Sequence, residues 1–202
     1  MAINSSVWLA GGTFELSYAI SSSSTAGHEI ESYAKTTGNG SQTWDGLTPI
    51  DVTVTVNPGI SIGHTSPSGY ALDTGNGPWP GGSEITIINN GSIHGKGGDG
   101  GGSPNGAGQA GGTAINIQYP VTIQNNGTIS GGGGAGYQPG DPGGSTSTAG
   151  NGGHRAGAGG GLGAAGSTGT SGSAGAAGYY IKQNSNSVTW SATGTRNGSA
   201  QA

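Results

Sequence analysis

Gly157-Ala158-Gly159-Gly160-Gly161-Leu162-Gly163-Ala164-Ala165-Gly166-Ser167-Thr168-Gly169-Thr170-Ser171-Gly172-Ser173-Ala174-Gly175-Ala176-Ala177-Gly178 decides how this chain is read, because glycine returns at every third position without a break. A strict period of three matches an extended helix with three residues per turn, in which one face carries only hydrogen. Another backbone can lie against that face. Such a helix has no internal hydrogen bonds, so its buried N–H and C=O groups need partners on neighbouring passes. The stretch therefore predicts a packed bundle of polyglycine II type. Collagen shares the period but depends on proline between the glycines, and this stretch has none. A flexible Gly/Ser/Ala linker is the plainer alternative. The sustained register and the patterned apolar strands on either side oppose it.

Working outward, most of the 48 glycines lie within residues 91–178 of a 202-residue chain. Charged residues make up 7% and hydrophobic residues 30%, with one Phe and one Met, which argues for cohesion from backbone hydrogen bonding and close approach rather than from side-chain burial. The net charge is -4, and the basic residues Lys35, Lys96, Arg155, Lys182 and Arg196 are scattered, which excludes the clustered patch that nucleic acid requires. Cysteine is absent, so disulfides and thiolate metal sites are excluded. The N-terminus lacks a basic segment followed by an apolar run, and no stretch reaches the roughly 18 apolar residues of a membrane span. The expectation is a soluble chain with no signal peptide and no membrane insertion.

Val7-Trp8-Leu9-Ala10 and the stretch from Thr13 to Ile20 read as strands joined at Gly11-Gly12, with Phe14, Leu16 and Tyr18 alternating with Glu15 and Ser17. Residues 28–37 are ambiguous. Val52-Thr53-Val54-Thr55-Val56 alternates strictly, and Asn57-Pro58-Gly59 turns it into Ile60-Ser61-Ile62. An internal repeat follows: Ile85-Thr86-Ile87-Ile88-Asn89-Asn90-Gly91-Ser92-Ile93 recurs as Val121-Thr122-Ile123-Gln124-Asn125-Asn126-Gly127-Thr128-Ile129. Each copy reads as a strand, a hairpin-type Asn-Gly turn and a short strand running into glycine. Looser copies lie at residues 54–62 and 181–190. The chain is expected to leave a β layer after Ile93, return at residues 113–117, leave again after Ile129 and return at residues 179–181, with a doubling-back at Pro139-Gly140-Asp141-Pro142-Gly143-Gly144.

The fold class expected is mostly β with irregular structure: a β-strand platform plus a polyglycine II bundle, with little or no α-helix. Three segments follow. Residues 1–84 form a β-rich attachment and platform domain, residues 85–178 the glycine-rich bundle with embedded β cassettes, and residues 179–202 a closing β segment and tail.

Three features in order resemble the glycine-rich adhesins at the tips of long tail fibres of T-even-like phages. They are Gly95-Lys96-Gly97-Gly98 after a strand, Ala110-Gly111-Gly112-Thr113-Ala114-Ile115 leading back into one, and Asn125-Asn126-Gly127-Thr128-Ile129-Ser130-Gly131-Gly132-Gly133-Gly134. The resemblance covers roughly residues 85–177. It implies stacked polyglycine II helices whose connecting loops contact receptors on the bacterial surface, a virion location after synthesis in the host cytoplasm, and partners among other tail or fibre proteins. The first 84 residues have no recognisable counterpart, so attachment at a tail tip, side fibre or head fibre stays open.

Chemistry is sparse. Gly97-Gly98-Asp99-Gly100 offers one acidic residue where calcium takes six to eight oxygens. His28, His64, His94 and His154 show no paired ligand spacing, and no nucleophile elbow, phosphate loop or paired carboxylates appear. No metal, cofactor or enzymatic activity is expected. Trp8, Trp44, Trp79 and Trp190 read as anchors of the platform. The segments that interrupt the glycine runs carry varied side chains, and rigid scaffolds present recognition loops. Tyr137 and Arg155 are the leading receptor-contact candidates, with His154, Asp141, Gln138 and Asn105 beside them; Tyr70, Asp73 and Trp79 are the fallback. The function expected is a virion adhesin for a bacterial outer-surface protein or glycan, and a homo-oligomer such as a trimer is possible. The alternatives are a structural fibre or head-decoration protein, or an ice-binding protein, which export and disulfides would have favoured.

Overall fold

The computed structural model describes residues 12–40, 42–100, 107–136, 160–168 and 173–202. The chain runs β1 (Phe14–Ile20), β2 (His28–Glu29), α1 (Ile30–Thr36), β3 (Ile50–Val56), β4 (Ser61–Ile62), β5 (Leu72–Asp73), β6 (Glu84–Asn89), β7 (Ser92–His94), β8 (Ile115–Asn116), β9 (Val121–Asn125), β10 (Thr128–Ser130), β11 (Tyr179–Lys182), β12 (Val188–Ala192), β13 (Thr195–Asn197) and β14 (Ser199–Gln201). Successive strands pass in rotation into three parallel sheets, β1-β3-β6-β9-β12, β4-β7-β10-β13 and β2-β5-β8-β11-β14. A chain that visits three sheets in turn and always pairs in parallel is a coil, so the described residues form a three-sided parallel β-helix. In its first coil the second sheet is represented by a parallel bridge from Ser24 to Ile62. Each sheet takes strands from residues 1–84, 85–178 and 179–202 alike.

Period-two alternation sends every other side chain inward, and parallel register stacks like on like. Leu16, Val52 and Ile85 form one column, and Tyr18, Val54, Ile87, Ile123 and Trp190 another. Ile62, Ile93 and Ile129 line the second sheet, and Leu72, Ile115 and Ile181 the third. All of these except Trp190 are buried. Fully burying one such aliphatic side chain contributes about 1.5–3 kcal/mol. This core corrects the expectation that backbone contacts alone hold the chain together. A coil is narrow, so a few inward residues per turn fill it even in a glycine-rich sequence.

The Asn-Gly turns need a second correction. The strands on either side of Asn90-Gly91 and Asn126-Gly127 do not pair with each other, so no hairpin forms; each turn is a corner between two sheets. Neither Gly91 nor Gly127 takes a positive φ. Glycine is required there because the corners stack: a Cβ on Gly127 would run into the Gly91 carbonyl, and one on Gly91 into that of Ile60. The ambiguous residues 28–37 become β2 and α1. Tyr33 of α1 stacks on Tyr18 with ring centroids 4.0 Å apart, covering the head of the column that Tyr18 begins.

Aromatic residues mark the corner between the third and first sheets. Trp44, Trp79 and Tyr119, one from each successive coil, stack with centroids 5.1 and 5.9 Å apart. Trp44 and Trp79 are buried, as anchors should be, whereas Trp190 is half-buried in the last coil beneath the Arg196 guanidinium, 4.8 Å from its ring centre. Trp8 lies outside the described residues.

Candidate functional site

The chain leaves the β-helix after β7 and after β10 and re-enters at β8 and β11, as the sequence order predicts. Between these points the described segments 95–100, 107–113, 131–136, 160–168 and 173–178 lie against one another. A row of backbone bonds crosses four of them: Gly112 N–H donates to the Lys96 carbonyl at 2.7 Å, Gly132 N–H to Gly112 at 2.8 Å, and Gly178 N–H to Gly132 at 2.8 Å. Further along, Ala135 N–H donates to Gln109 and Gly175 N–H to Ala135. The backbone is satisfied by neighbouring passes, which is the arrangement a helix without internal bonds demands. The contact leaves no room for side chains, since a Cβ on Gly95, Gly111, Gly132 or Gly178 would run into a backbone carbonyl of the adjacent pass. Residues 161–163 make a turn in which Gly163 has a φ of 68°, so the triplet run is folded back on itself there.

Asn105, Tyr137, Gln138, Asp141, His154 and Arg155 lie outside the described residues, as does the expected turn at residues 139–144. The described passes break off at residues 100, 107, 136, 168 and 173.

A second place is visible in full. An open cleft of about 530 Å³ lies beside α1 and the start of the third sheet, lined among others by His28, Glu29, Tyr33, His64, Tyr70 and Asp73. Tyr70 and Asp73 were fallback candidates from the sequence; Trp79 is instead buried in the aromatic stack. Sequence reasoning missed His28, Glu29 and His64, because only the parallel register of β2 on β5 sets Glu29 beside Asp73. Asp73 is held by Asn116, whose side-chain amide donates to both carboxylate oxygens at 3.0 and 3.1 Å. Burial raises the Glu29 carboxyl above its ordinary pKa, and the neighbouring charges of Asp73 and Glu31 add to this. Burial lowers His28 to about 4 and lifts Tyr18 well above its usual range, and the Tyr18 hydroxyl shares a hydrogen bond with Nε2 of the neutral His28, 2.7 Å away. Among the described residues, no group of three or more His, Cys, Asp or Glu could hold a metal ion.

A family model for the phage tail fibre adhesin Gp38 matches residues 15–201, nearly the whole chain. The chain belongs to the Gp38 phage tail fibre adhesin family. As a member of that family it is a virion component, an adhesin of the phage tail tip. Among solved structures, the gp37-gp38 adhesin tip complex of the bacteriophage S16 long tail fiber is similar to this adhesin, with a TM-score of 0.68 and 21% identity over 91% of this chain and 81% of that one. That likeness shows a common fold. No curated relative matches the chain. The family match extends the resemblance read from the sequence to residues 15–84, which the sequence alone did not connect to it.

Proposed function

We propose that this adhesin recognises a protein or glycan on the bacterial outer surface through the segments that join the far ends of its glycine passes, with Tyr137 and Arg155 as main contacts. His154, Asp141, Gln138 and Asn105 support them. The observation that carries the reading is the backbone-to-backbone packing of the passes: a scaffold bonded on several sides loses little entropy when the segments it anchors bind. The interpass bonds fit polyglycine II geometry. The role is recognition without catalysis. Particles carrying Tyr137→Ala and Arg155→Ala are expected to assemble normally and fail to adsorb to host cells. Adsorption at the normal rate would place the receptor contact elsewhere.

Attachment to the virion goes to another tail-fibre protein, in keeping with the two-protein complex in which the similar structure was solved. The contact is assigned to residues 1–84, the segment the glycine bundle does not use. A photo-crosslinker at the exposed Asp51 should capture a tail-fibre protein in assembled particles, and one at the exposed Thr189 should not. The opposite pattern would move the attachment surface to the last coil.

A further inference from the structure

We infer that the cleft beside α1 binds an uncharged pyranose sugar through paired hydroxyls, making it a second recognition site distinct from the glycine bundle. The first observation is an unbalanced carboxylate pair. Glu29 and Asp73 are direct register partners on β2 and β5, and like charges so placed oppose each other. Asn116 offsets this for Asp73, whereas the Glu29 carboxylate has no hydrogen-bond partner among the described residues and is eased only by the charge of Lys35. A half-neutralised carboxylate pair in the wall of a cleft suits a ligand that brings hydroxyl donors.

The second observation is an imidazole held on the same cleft. The His64 ring is held between two glycines, since a Cβ on Gly69 or Gly27 would meet it. Its Nδ1 lies 2.9 Å from the Ser66 backbone nitrogen, which can only donate. The same Nδ1 also lies 3.1 Å from the Ser66 carbonyl, so Ser66 engages Nδ1 in either tautomer, and Nε2 is left to donate or accept with no partner among the described residues. The Tyr70 hydroxyl is also without one, and the Ser68 hydroxyl lines the same cleft.

Acceptors at Glu29 and Asp73, an imidazole at His64 and an amphoteric phenol at Tyr70 match a ligand whose every polar group both donates and accepts, which describes a sugar hydroxyl. Tyr33 and Tyr70 add aromatic surface for the apolar face of a pyranose. The volume falls within the range of small-ligand sites. Among the described residues no Lys or Arg lines the cleft, which disfavours anionic sugars.

The test is saturation-transfer and chemical-shift NMR on the full chain with methyl glycosides of glucose, galactose and mannose, using N-acetylneuraminic acid and putrescine as the anionic and cationic probes. At least one neutral glycoside should bind, with shifts centred on Glu29, His64 and Tyr70, and Glu29→Gln and Tyr70→Ala should each weaken binding about tenfold or more while melting stays within a few degrees of the parent. Neuraminic acid should not bind. Absence of binding by all three glycosides overturns the proposal, as does undiminished binding in both folded variants, and binding of putrescine alone would make the cleft a cation site. Sugar binding by the isolated chain reports on this cleft, whereas adsorption of Tyr137 and Arg155 variants reports on the pass-joining segments, so the two readings fail separately.

Discussion

The side-chain amide of Asn89 donates to Oδ1 of Asn125 at 2.8 Å, joining equivalent corners of successive coils 36 residues apart in sequence. Both side chains are buried, and Asn125 passes the pattern on by donating to the carbonyls of Thr193 and Thr195 in the last coil. Asn89 also donates to the Thr128 carbonyl and accepts from the Gly91 N–H. Backbone bonds also tie these corners, with the Asn126 and Gly127 N–H groups donating to the Asn89 carbonyl, and the two amides add to them.

Replacing Asn125 by Ala removes the donor to the Thr193 and Thr195 carbonyls and one of the two acceptors of the Asn89 amide. Such a loss of buried partners should cost about 2–4 kcal/mol. Asn125→Asp should cost at least as much, because a carboxylate cannot donate to those carbonyls. Chemical denaturation of both variants measures it; a midpoint equal to that of the parent would remove the ladder from the account of stability.

The glycine passes should be intolerant of any side chain at the contact, unlike an open glycine of the loop before β6. A Cβ on Gly132 would run into the Lys96 carbonyl and one on Gly166 into that of Ala135, whereas one on Gly81 meets nothing within 4 Å. Gly132→Ala and Gly166→Val should destabilise by about 3 kcal/mol or more, as forced overpacking against backbone does. Gly81→Ala should leave melting nearly unchanged.

Acid should loosen the first coil through His28. Its folded pKa, about 4, lies below the ordinary 6.5, so the unfolded chain takes up a proton across that interval while the folded one does not. Stability therefore falls as pH drops from about 6.5 to about 4, by an amount on the order of 3 kcal/mol for this group alone. His28→Gln keeps an acceptor for Tyr18 but cannot titrate. Its stability should be flatter over that window than the parent's.

Glu29 has the opposite sign. Its folded pKa is raised, so the folded chain binds the proton more tightly and the penalty appears as pH rises through and above the ordinary carboxylate range. Glu29→Gln should melt slightly higher than the parent at neutral pH, with the difference vanishing in acid. A lower melting temperature at neutral pH would mean that the Glu29 charge is compensated.

The glycine triplets, the Asn-Gly repeat and the exit and return points of the excursions were legible in residue order, because each is a local constraint: a bare backbone face, a tight corner, an alternating strand. The same residues could not disclose which strands pair. Ile93 lies against Ile62 and Ile129, and Val54 against Tyr18 and Ile87, only because the chain coils, and parallel pairing across a coil leaves no turn signature of its own. For that reason Asn-Gly suggested hairpins, and a sequence poor in Phe and Leu gave no sign of a continuous aliphatic core. The cleft is further still from the residue order. Glu29, His64 and Asp73 come from separate coils and loops, and the tertiary structure alone brings them to the wall of one cleft.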